Sequence, residues 1–154
     1  MIVNTVMWII SSMIFFAWIF GITLKRSFAA NAKHFCLLLV VHVALSITAI
    51  ELKKRGVVVL HKSDSLWLRE GLAVLLKSYM VLVMVIMVSF MVALVSRGAQ
   101  QMTHFHKTYN AGNLNRNPVK FYLNRQSAIV WGYRFFFLLG GVYMLWAIWF
   151  RLPF

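Results

Sequence analysis

Five polar side chains stand inside otherwise apolar runs, and chemistry would be sought there first: His42, Ser46, Glu51, Lys77 and Arg134. In hydrocarbon a central charge costs about 2.5–3.5 kcal/mol or more unless it finds a partner or water. His42 and Ser46 are one helical turn apart and share a face, and Thr48 with Glu51 continues a polar strip that should face a helix-bundle interior. Glu51 closes one apolar run and Lys77 lies just inside the next, so the two are placed to meet. Joined by Arg134, they would line a polar cavity or a proton path. The plainer expectation is that Lys77 and Arg134 snorkel to their nearer interfaces or form a structural ion pair. For His42 the plainer role is an interhelical hydrogen bond.

Other residue types offer less. His104 and His106 could bind a metal with His34 or His61, but no Cys or carboxylate lies nearby to complete a first shell. Arg97, Lys107, Arg116, Lys120 and Arg125 in the same segment would repel a cation. There is no paired carboxylate, no Gly-rich phosphate cradle and no HExxH, so neither catalysis nor a bound cofactor is expected. A small lipid-active enzyme remains an alternative. Its polar surface would be His104, His106, Arg116 and Lys120, among the amides Asn110, Asn113, Asn115 and Asn117. Such residues suit phosphate headgroups or a docking partner. Met80, Met84, Met87 and Met91 recur at spacings of four, three and four, a helical stripe suited to adaptable packing. Gly140-Gly141 would admit a closely packed helix.

The elements that must position these residues follow from composition. Of 154 residues, 62% are hydrophobic and 12% charged, where soluble domains carry about 25% charged residues. A chain of this length cannot hide so much apolar surface in one core, so lipid must cover it. The class is an all-α integral membrane protein, a single domain of four transmembrane helices with short basic loops. The spans are expected at about 2–24, 35–52, 72–96 and 127–150. In lipid only helices or closed barrels satisfy the backbone, and continuous runs of this length fit helices despite the many β-branched residues of the third.

Local signals refine this plan. Ala30-Asn31-Ala32 mimics a signal-peptidase site, but the basic pair Lys25-Arg26 follows the first apolar run instead of preceding it. Retention as a membrane helix is expected. Between the second and third spans a connector should lie at the membrane surface. Asp64 or Ser65 would cap an interfacial helix beginning near Leu66 and carrying Trp67. The longest polar segment, 97–126, has turns marked by Gly112 and Pro118 and a helix resuming near Val119. Trp131 and Tyr133 at one end of the fourth span, and Trp146 and Trp149 at the other, match interfacial belts. The lone Cys36 forms no internal disulfide and reads as a small packing residue.

The net charge of +13 would suggest nucleic acid in a soluble protein. Here the cations cluster between spans, where anionic headgroups sit, and no nucleic-acid partner is expected. Lys25, Arg26, Lys33, Arg97, Lys107, Arg116, Lys120 and Arg125 flank one side, against Lys53, Lys54, Arg55, Lys62, Arg69 and Arg151 on the other. That bias favours cytoplasmic first and third loops with both termini outside. No Asn-x-Ser/Thr sequon occurs, and a bacterial cytoplasmic membrane is the expected location. The function expected is binding of other membrane proteins or of a second copy, as an accessory subunit or an immunity- or exclusion-type factor. Ion or proton transport is the alternative.

Overall fold

The computed structural model describes residues 2–56 and 65–152, and the expected surface connector across 57–64 lies outside them. Four helices run up, down, up and down: α1 (Ile2–Trp18), α2 (Phe28–Lys54), α3 (Leu66–Tyr109) and α4 (Val119–Phe150). All four are long and apolar enough to cross a membrane, and the chain is a four-helix integral membrane protein.

Helix starts follow local chemistry. Ser27 caps α2 by accepting from the Ala30 amide at 3.3 Å, so α2 begins at Phe28 and not at Phe35. Ser65 caps α3 in the same way through Leu68. The helix expected near Leu66 therefore exists, but it continues unbroken into the third span. At 44 residues α3 is about 66 Å long, more than twice a hydrocarbon core of about 30 Å. Its excess forms half of the segment read as a polar loop. Beyond Arg97, α3 and the start of α4 make a helical hairpin whose actual loop is 110–118. Thr103 donates to Gln126 at 2.7 Å, and Tyr122 and Gln126 both donate to the Ala99 carbonyl.

The packed centre belongs to three helices. Phe15 and Ile19 of the first meet Val81, Met84, Val85, Val88 and Val92 of α3, and Leu145, Ile148 and Trp149 of α4. Lipid removes most of the hydrophobic drive between helices, so close steric fit must hold them. Gly141 shows this: a Cβ there would stand 2.5 Å from the Phe15 ring. Gly140, by contrast, faces open space. The methionine stripe is also divided. Met84 is buried, Met80 and Met91 are half-buried, and Met87 is exposed, because the valines one position along form the true contact line.

Two features attach α2. After Trp18 the first helix widens into a π-helical turn over Ile19–Thr23, with Leu24 donating to the Ile19 carbonyl. This turn aims Thr23 at Ser89 of α3, to which it donates at 2.9 Å. Asn31, buried at the start of α2, donates to the Thr23 and Ser27 carbonyls. Phe35 then stacks on Phe90 with centroids 4.3 Å apart. From Leu39 to Gly56 every residue of the second segment is exposed, which corrects the expectation of an interior helix. Cys36 is exposed as well and packs no core.

The Gly141–Phe15 fit is directly testable in the detergent-solubilised protein. Gly141→Val should lower stability by about 1–3 kcal/mol through overpacking. Gly140→Val should stay within about 0.5 kcal/mol, and Phe15→Leu should recover part of the Gly141→Val loss. Unfolding midpoints of the four proteins check this.

Candidate functional site

The polar residues of the spans fall into three separate groups. Lys77 is buried, and among the described residues it meets no acid, so the expected pair with Glu51 does not form. Its ammonium donates to the Trp149 main-chain carbonyl at 3.2 Å and lies 5.9 Å from that residue's ring centroid. The reason lies in the end of α4. The amide that would bond the Trp149 carbonyl belongs to position 153, which is proline and has no N–H. A cation at a helix C-terminus also meets the negative end of the helix dipole. Lys77 thus supplies the hydrogen bond and adds its charge to that of the C-cap Arg151.

Trp149 itself is fully buried, and its indole N–H donates to Ser11 of α1 at 3.1 Å. Ser11, Trp149 and Lys77 therefore join α1, α4 and α3 at one level. Glu51 is not part of this junction. It pairs with Lys54 at 2.8 Å on an exposed face of α2, a geometry of little energetic weight.

His42 and Ser46 do share a face of α2, but that face is not interior. His42 Nδ1 stands 2.9 Å from the Tyr79 hydroxyl with the two rings stacked. Ser46 donates to the His42 carbonyl and Thr48 to the Ala44 carbonyl, so each hydroxyl is satisfied by its own helix.

Arg134 lies towards the opposite end of the bundle. Its guanidinium donates to Ser96 at 2.8 Å and covers the Trp131 ring at 5.0 Å. Along α4, Arg134 and Trp149 are about 22 Å apart, separated by the packed side chains of Leu145 and Phe15. The four charged or titratable residues proposed for a path are therefore not in one file.

At the hairpin, His106 Nδ1 is 3.1 Å from the Asn110 amide nitrogen, and His104 is exposed beside Arg97 and Gln100. Arg116 and Lys120 are exposed near the loop. Among the described residues no three His, Cys, Asp or Glu side chains converge as metal ligands.

Sequence reasoning missed Ser11, Thr23, Asn31, Ser89 and Ser96, each of which links helices or segments. Hydroxyl and amide residues in apolar runs carry no periodic signal of their own. Their partners become visible only once the antiparallel pairing is known.

No protein-family model, curated protein or solved structure matches this chain. Function therefore has to be argued from the arrangement of its residues alone.

The Lys77 junction separates from the Glu51 pair by substitution. Lys77→Met should destabilise the protein by about 1–3 kcal/mol by orphaning the buried carbonyl. Glu51→Gln should change stability by less than about 0.5 kcal/mol. A Ser11→Ala and Trp149→Phe double-mutant cycle should give a coupling near 0.6 kcal/mol and at most about 1.7 kcal/mol. Reversible unfolding in mixed micelles measures all three.

Proposed function

We propose that the protein is non-enzymatic and acts by binding other membrane proteins within the bilayer, as an accessory subunit of an assembly or an immunity- or exclusion-type factor. The observation that carries this reading is the open second half of α2. From Leu39 to Gly56 the segment is exposed throughout, yet it presents His42, Ser46, Thr48 and Glu51 among apolar residues. Ser46 and Thr48 donate within their own helix and His42 faces Tyr79, yet the hydroxyl oxygens can still accept, and a neighbouring helix can donate to them where lipid cannot. A helix held firmly at one end by Asn31 and Phe35 leaves its other half available to that neighbour.

The basic hairpin supports the same reading from the aqueous side. Arg97, Lys107, Lys120 and Arg125 ride on the helical pair and Arg116 on its loop, with no acid between positions 97 and 126. An acidic partner surface would complement it. The location we propose is the bacterial cytoplasmic membrane, with the hairpin on the cytoplasmic side as the distribution of cations favours.

Photo-crosslinking side chains at Ser46 and Ile50, in native membranes, test the reading. Defined protein adducts, or a dimer of this chain, are expected from both positions. The comparison position is Phe136, an exposed residue of α4, where lipid adducts are expected. Lipid adducts alone at all three positions would overturn the proposal.

A further inference from the structure

One cavity in the molecule is lined by three arginines and no acid. It holds about 320 Å³, within the range of small-ligand sites, and lies between the end of the first helix, the start of α2, and the middles of α3 and α4. Arg26, Arg97 and Arg134 line it together with Ser27, Ser96 and Gln100, over an apolar floor that includes Leu24 and Val92. Three arginines bordering one space with no acid in its lining leave it positive, a field that an anion would offset. The two acids among the described residues, Glu51 and Glu70, belong to the far ends of α2 and α3.

Arg134 is the most enclosed of the three. One of its terminal nitrogens is taken by Ser96 and its Nε is closed off, so it meets the cavity through the rest of its guanidinium. Ser27, at the N-cap of α2, adds the positive end of a helix dipole to the same space. Arginine forks match phosphate oxygens in pairs, which a single point charge does not.

We infer that this cavity is a binding site for a phosphate group of high negative charge, a lipid phosphate monoester headgroup being the favoured source. The level of the site supports that source. It sits where the apolar run of the first helix gives way to Lys25-Arg26 and where α3 passes from Val95 to Arg97, the boundary between hydrocarbon and water. The apolar floor would take the first carbons of a glycerol backbone, and the arginines the phosphate oxygens. This places headgroup recognition at Arg26, Arg97 and Arg134 and away from His104, His106, Arg116 and Lys120.

The full chain in a neutral detergent, titrated with dioleoyl phosphatidic acid, phosphatidylcholine or inorganic pyrophosphate and read by native mass spectrometry, tests the site. Phosphatidic acid should bind at least about tenfold more tightly than phosphatidylcholine. The double variant Arg26→Gln/Arg97→Gln should lose that preference, while Lys107→Gln/Lys120→Gln, of equal net charge, should keep it. Both arginines of the first pair are exposed, and matching thermal melts show that the fold is intact. Single Arg97→Lys should keep the charge but weaken phosphatidic acid binding. If pyrophosphate fails to displace the lipid, the lipid source stands. If it binds as tightly and needs the same arginines, the phosphate site stands with a soluble ligand. No preference over phosphatidylcholine, or equal loss in both double variants, overturns the inference.

Discussion

Trp149 is the residue on which the bundle's geometry turns. Its ring is wholly enclosed, its indole N–H is bound by α1, and its main-chain carbonyl is bound by Lys77 of α3. Each of these bonds is modest alone. Together they set the rotation of three helices about their own axes, because a slide or twist of any one of them would expose a donor or acceptor to hydrocarbon. The apolar packing above, from Phe15 against Gly141 to the valine line of α3, then needs only shape to be complete. The lysine is structural: α4 ends in a sequence that cannot supply its own last amide.

A second polar tie at the other end determines where α2 stands. The π-turn aims Thr23 at Ser89, and Asn31 draws the start of α2 onto the carbonyls of Thr23 and Ser27. These bonds act on the first two turns of α2 and leave the rest of the helix to one face of α3. The same chain reversal brings Arg26 alongside Arg97 and Arg134. Anchoring α2 and gathering the cations are two results of one local arrangement.

The number and order of the spans were legible in the sequence, because long apolar runs flanked by cations have a single solution in lipid. The alternation of the spans also set Arg26 and Arg97 at one level. What could not be read was rotation. Whether His42 faces in or out depends on which neighbour α2 finds, and α2 finds only α3 along its upper half. Lys77 was sought near an acid because charge suggests charge, yet its partner is a carbonyl made available by a proline more than seventy positions away. Helix length was also hidden. Residues 97–109 are polar enough to read as loop, but nothing in them breaks a helix, and α4 lies alongside to satisfy their outward polar groups.

That extra length changes what the hairpin's charges can sense. Tyr109 stands about 18 Å along the helix axis from Arg97, and at physiological ionic strength electrostatic screening sets in over about 8 Å. Cations at the base of the hairpin lie within reach of the membrane's surface potential, whereas Arg116 and Lys120 near its tip stand about two screening lengths away. Headgroups pull weakly on those outer charges. The stalk thus separates the cations at its base from those at its tip by about two screening lengths, so one basic sequence meets two different electrostatic environments.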